Sequence, residues 1–175
     1  PPISTMGFGI RVVSSERRVP KPPARIRSFI IDLLYGVYSK TIEFEKGEIS
    51  AVNGKKFTDK VAAIREVESI TAPYAIGRDM HIGDTIIGIK VRVGFEAAAP
   101  MVIIKAHHAL EKHVLSKWQI YWKDNISQWY GNRLHEGMIL EPEMRDLEKF
   151  LESTQDKVSG KVFVQLKPYS FFING

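Results

Sequence analysis

Cysteine is absent from the 175 residues. That removes disulfide frameworks, thiolate zinc sites and cysteine nucleophiles together, and it points to a reducing, cytoplasmic location. Long apolar runs are missing too. The best candidate, Phe29 to Tyr38, is interrupted by Asp32 and falls short of the roughly 18 residues a membrane span requires. No secretory leader pattern and no repeat of solenoid length is seen. Excess charge of one sign is missing from most of the chain. The net +5 resides in residues 1–40, where seven basic residues face only Glu16 and Asp32, and the remainder carries 18 residues of each sign. The body is therefore not a polycation built for phosphate backbones, and nucleic acid is not an expected partner.

What is present suits one folded domain. With 44% hydrophobic and 26% charged residues, a chain of this size can hide about 70% of its unfolded surface, so no metal or disulfide staple is required. Residues 1–40 stand apart. They hold five of the nine prolines, and Arg17-Arg18-Val19-Pro20-Lys21-Pro22-Pro23 cannot be helix or central strand, because proline lacks the amide donor and fixes φ. Ile26, Phe29, Ile30, Leu33 and Leu34 share one helical face. The region reads as a basic, proline-rich arm plus a short docking helix, without an assigned role. Residues 41–175 read as the folded domain.

Within that domain Ile42 and Phe44 alternate with Glu43 and Glu45, Lys46-Gly47 makes a turn, and Ile49 to Val52 runs to Asn53-Gly54, a hairpin followed by a second tight turn. Thr58 and Asp59 can cap a helix bearing Val61, Ile64, Val67 and Ile70 that ends before Pro73. Thr85 to Val93 is β-branched with apolar residues on both parities, which predicts a strand buried on both faces. Beyond Pro100, Ile104, His107, His108, Glu111, Leu115, Trp118, Trp122, Ile126 and Trp129 recur at three- and four-residue steps. This predicts one continuous helix from about Val102 to Tyr130 with its three tryptophans buried in the core or against a second subunit. Glu141-Pro142-Glu143 opens another helix, with Met144, Leu147, Phe150 and Leu151 as its buried stripe. Ser159-Gly160 turns the chain into a strand whose Val162, Val164 and Leu166 share a face, and Phe171 to Ile173 begins its partner. Asn174-Gly175 is a hairpin signal without a return strand, so a truncated C-terminus is expected. The class is α+β: a small antiparallel or mixed sheet packed with one long helix and shorter ones.

Site chemistry is harder to read. Gly7-Phe8-Gly9 lacks the third glycine and the lysine of a phosphate loop. His107 and Glu111 lie one helical turn apart and could share an ion, but His108 and His113 point elsewhere, so no metal site is expected. No catalytic set of acid, base and nucleophile stands out. The loop–strand–loop segment from Gly77 to Glu96 is the best candidate ligand surface, expected to border the only ligand-sized polar concavity.

Residues from about Thr41 to Gly175 resemble the C-terminal, synthetase-type domain of the argininosuccinate synthase family, with the wording of Arg92 to Pro100 nearest a divergent bacterial branch. The pieces occur in order: Ile42-Glu43-Phe44-Glu45-Lys46-Gly47 with Val52-Asn53-Gly54; Ala75-Ile76-Gly77-Arg78-Asp79; Ile87-Gly88-Ile89-Lys90-Val91-Arg92 with Glu96; Ala106-His107 with Leu110-Glu111; and Thr154-Gln155 with Val158-Ser159-Gly160-Lys161-Val162. The resemblance implies an ATP-dependent ligase joining citrulline and aspartate, in which the ureido oxygen is adenylated and the aspartate amine displaces AMP. It also implies a homo-oligomer. The family's serine-glycine-glycine-leucine-aspartate nucleotide loop does not occur here, so ATP is expected to be bound by a domain absent from this chain, and the isolated chain is expected to be inactive. The substrate-binding candidates carried over are Gly83, Asp84, Lys90, Arg92, Phe95 and Glu96. Gly83 and Phe95 stand where the family offers citrulline a glutamate and a tyrosine. A non-catalytic binding module derived from the same fold is the alternative reading.

Overall fold

Alternating apolar residues build the sheet that organises the molecule. In the computed structural model, which describes residues 39–85 and 87–175, β1 (Ser39–Glu45) lies between β2 (Glu48–Val52) and β6 (Gly160–Lys167), antiparallel to both. β3 (Lys55–Lys56) and β7 (Ser170–Ile173) complete a five-stranded sheet of order β3-β2-β1-β6-β7. The arm, its docking helix and Gly7-Phe8-Gly9 lie outside the described residues. Ile42 and Phe44 of β1 and Val162, Val164 and Leu166 of β6 are at most 5% exposed. They form one core with Val67 of α1 (Lys60–Thr71) and Val102 and Ala106 of α2 (Ala98–Val114). Each such side chain contributes about 1.5–3 kcal/mol relative to leaving it exposed. With its helices packed on an antiparallel sheet, the domain is α+β, as the sequence implies.

Local signals explain the element ends. The Asp59 carboxylate accepts the Val61 amide at 2.9 Å and starts α1. Gly47, at φ +80°, lets the β1–β2 turn press against Gln155, where a Cβ would come within 2.6 Å of Oε1. α4 (Pro142–Gln155) begins with proline in its first turn and buries Met144 fully, whereas Phe150 is exposed. In α1, Ala63, Val67 and Thr71 are the buried face, and Val61 and Ile64 are exposed.

Three expectations need correction. The helix over 102–130 is two helices, α2 and α3 (Lys117–His135), because Leu115 is extended and Ser116 caps the second. Ser116 Oγ accepts from the Gln119 amide at 3.3 Å and Gln119 Oε1 accepts from the Ser116 amide at 2.9 Å, a reciprocal cap that competes with helix continuation. Separating the helices changes what each buries: Ala99, Val102 and Ala106 line the inner face of α2, with Ile104 exposed. Trp118, Trp122 and Trp129 are 63%, 57% and 40% exposed, not buried, because α3 turns another face to α4. Finally, Thr85 to Val93 is not a strand buried on both faces. β4 (Arg78–Asp84) and β5 (Lys90–Glu96) pair only with each other, as a two-stranded ribbon, and none of their residues is buried. Among the described residues, no helix is long and apolar enough to cross a membrane.

Candidate functional site

The ribbon holds all six residues singled out from the sequence. Its root is fixed by Gly77, at φ +72°, whose carbonyl accepts the Ala97 amide at 3.0 Å. A Cβ on Gly77 would come within 2.6 Å of the Ala97 carbonyl oxygen, so the close approach there requires glycine. From the root, the register pairs Arg78 with Glu96, Ile82 with Arg92, Gly83 with Val91 and Asp84 with Lys90. Strand alternation then sorts the candidates. Asp84, Lys90, Arg92 and Glu96 share one face, while Gly83 and Phe95 share the other.

The charged face is wired along its length. Lys90 donates to Asp84 at 2.9 Å, and Arg78, not Arg92, pairs with Glu96 at 2.9 Å. Arg92 makes no ion pair among the described residues. Both existing pairs are solvent-exposed, so each contributes little to stability. The opposite face, with Val91 and Val93, lines an open groove of about 430 Å³ bounded by His81, Gly83 and His135 of α3. A side chain at position 83 would collide with the His81 ring, so a larger residue there requires His81 to move.

The largest described concavity, about 720 Å³, lies elsewhere: between the β1–β2 turn and α2, α3 and α4. This corrects the expectation that residues 77–96 border the only ligand-sized polar hollow. Its floor is a chain of buried polar groups. Glu111, fully buried, accepts from Lys123 Nζ at 2.5 Å and from Gln155 Nε2 at 2.8 Å. Gln155 Oε1 in turn accepts from His107 Nε2 at 2.9 Å, which leaves Nδ1 without the proton in neutral His107. Burial lowers the His107 pKa below 6.5, outweighing the opposing pull of Glu111. For Lys123, burial works against the charge, but hydrogen bonds to Glu111 and Asp124 more than offset it and hold the pKa above 10.5. The lining carries Glu45, Glu48, Glu152 and Asp156 together with Lys46 and Lys60, and Lys60 pairs with Glu48 at 3.1 Å, so charges of both signs face the hollow. Among the described residues no group of three histidines and carboxylates could hold a metal.

Sequence reasoning found His107 and Glu111 but not their partners Lys123 and Gln155. The available signal was Glu111 itself, a carboxylate in line with the buried face of α2, which demands a cation from another element.

A five-stranded antiparallel sheet covered by helices, with a projecting two-stranded ribbon, defines an α+β domain. Residues 37–175 match the arginosuccinate synthase C-terminal domain, and the chain belongs to that family. It is 40% identical over 134 residues to argininosuccinate synthase of Dictyoglomus thermophilum, covering 77% of this chain and 34% of that protein. Identity is 38% to the argininosuccinate synthase of Dehalococcoides mccartyi, covering 77% and 33%. To that of Methanocaldococcus jannaschii it is 34%, covering 71% and 31%. The chain thus spans about a third of the length of the curated relatives it matches.

Proposed function

We propose that residues 41–175 act as the synthetase-type part of an argininosuccinate synthase, which joins citrulline and aspartate at the expense of ATP, yielding AMP and pyrophosphate in the cytoplasm. The observation that carries this reading is Arg92. Among the described residues it is an exposed guanidinium without an ion-pair partner, set between the Asp84–Lys90 and Arg78–Glu96 pairs on one face of the ribbon. A planar guanidinium left free in this way is suited to a two-pronged bond with an amino-acid carboxylate. Asp84 and Glu96 can receive a substrate amine by exchanging their exposed pairs with Lys90 and Arg78, and Lys90 then adds positive potential beside Arg92. Gly83 and Phe95, on the opposite face, supply neither the carboxylate nor the hydroxyl that the family resemblance would put at these positions.

The described residues do not fit a nucleotide. They show no glycine-rich turn opening a helix. Adenylation is therefore assigned to a separate nucleotide-binding unit, and this chain's part is to bind and orient the amino acids. The ribbon's exposure on both faces supports this division of labour.

The test has two arms. Citrulline and aspartate, titrated into isotope-labelled chain, should shift the amide resonances of Lys90, Arg92 and Glu96, and Arg92→Ala should weaken binding at least about tenfold, the usual loss for a charge-assisted bond. Pyrophosphate release from ATP with both amino acids should be undetectable for the chain alone. Shifts scattered outside 78–96 would defeat the substrate assignment and favour a non-catalytic module. Turnover by the chain alone would defeat the division of labour.

A further inference from the structure

The largest described hollow lies away from the ribbon, and the proposed reaction makes no use of it. At about 720 Å³ it has the size of a small-molecule site. Its floor is set by donor and acceptor chemistry. The Glu111 carboxylate only accepts, so Gln155 turns its amide nitrogen to Glu111 at 2.8 Å and its oxygen to His107 at 2.9 Å. His107 Nε2 must then carry the ring proton, which makes Nδ1 of the neutral ring a bare acceptor. Nδ1 has no donor among the described residues, is not sealed from solvent, and belongs to a residue that lines the hollow. Glu111 Oε1, 3.8 Å from it, is an acceptor as well. Two acceptors that face one another with no donor between them suit an N–H-bearing group.

The charges above the floor narrow the choice. Glu48 is matched by Lys60, and Glu111 by Lys123. Among the described residues, the lining groups left without an ion pair are Glu45, Glu152 and Asp156 against Lys46 alone. Their excess is negative. Two of these carboxylates also sit where a helix disfavours them. Glu152 lies in the last turn of α4 and Asp156 caps its C-terminus, with no basic residue in that turn. The helix end is itself partly negative, so both carboxylates are repelled by the element that carries them. A ligand cation would relieve that conflict. Among the described residues no three histidines and carboxylates could hold a metal ion, which favours an organic cation bearing N–H donors.

We propose that this hollow binds a linear aliphatic dication. One amino or guanidino group donates to His107 Nδ1 and Glu111 at the floor, and the other pairs with the exposed Glu152 and Asp156 at the mouth. The inference is independent of the ribbon's role and would hold for a chain that bound neither citrulline nor aspartate. The aliphatic stem would run past Leu151, which lines the hollow one residue before Glu152. Gly47 packs against Gln155 with no room for a Cβ, so the floor is held in place before any ligand arrives.

Putrescine, titrated into isotope-labelled full chain at constant ionic strength, should give saturable shifts at the His107 ring nitrogens and at the Gly47 and Gln155 amides. Butylamine, with one charge, should bind at least about tenfold more weakly, the usual loss for one charge-assisted hydrogen bond. The double variant Glu152→Gln with Asp156→Asn should weaken putrescine binding by a similar factor. Its melting temperature should hold or rise, because the charges opposing the α4 dipole are gone. Glu111→Gln, checked for folding by circular dichroism, should remove the His107 shifts. Magnesium chloride at equal charge should reproduce none of these effects. The proposal is overturned by the absence of saturable shifts up to about 10 mM putrescine, or by shifts confined to residues 78–96. Equal binding of butylamine, equal shifts with magnesium, or a double variant that binds as tightly as the parent chain overturns it too.

Discussion

Two β-structures in this molecule carry nearly the same sequence pattern and opposite burial. Val162, Val164 and Leu166 of β6 alternate with polar residues and are at most 5% exposed. Val91, Val93 and Phe95 of β5 alternate in the same way and are 36–49% exposed. The strand residues are equally good β formers, so the difference is made by their neighbours. β6 is bracketed by β1 and β7 and packed on α2, whereas β5 has one partner strand and, among the described residues, an apolar face that opens on a groove with only His135 of α3 at its edge. A two-stranded ribbon alone is marginal in water. Alternation encodes a face to be covered, while the identity of the cover is not written in the strand.

Substitutions can break or sharpen that contrast. The largest effect is expected for Val164→Asp, which buries an unpaired charge in the main core and should destabilise the chain by about 4 kcal/mol, read as a lower urea midpoint. Glu111→Gln comes next. It removes the carboxylate that Lys123 and Gln155 share, and breaking a buried pair from one side costs about 3 kcal/mol. The same network predicts a pH effect. The folded His107 pKa lies below its unfolded value of 6.5 because of burial, so its contribution is complete above pH 6.5. Stability should decline as the pH falls below 6.5 toward the folded pKa. Thermal melts of His107→Gln should lose this component of the acid slope. The smallest effect belongs to the ribbon: Val93→Thr should change the stability of the isolated chain by less than about 0.5 kcal/mol. A loss in the ribbon as large as that in β6 would mean that its apolar face is already covered.

The sheet, both tight turns, the Asp59 cap and the Pro142 helix start were legible because each is a local signal acting on adjacent residues. The break between α2 and α3 was legible too, in Ser116-Lys117-Trp118-Gln119, but the apolar spacing running across it masked the cap. Tryptophan burial was not legible, since the 4-3-4 step of Trp118, Trp122, Asn125 and Trp129 is the same whether the opposing surface belongs to this chain or to another. For the site, residue types in Lys90–Glu96 pointed to the ribbon. The pairing of Arg78 rather than Arg92 with Glu96 depends on a register that sequence does not state. The Glu111–Lys123–Gln155 network joins residues up to 44 positions apart through three helices, beyond the reach of any local pattern.

On the proposed reading, the ribbon binds the amino acids and is covered when a nucleotide-binding unit is present. Amide hydrogen exchange across residues 78–96 tests this most directly, measured for the chain alone and after adding a separately produced nucleotide-binding unit of the family with ATP, citrulline and aspartate. Rapid exchange is expected in the first case and strong protection in the second, accompanied by pyrophosphate release. A ribbon that exchanges equally fast in both mixtures, with no pyrophosphate formed, would contradict it.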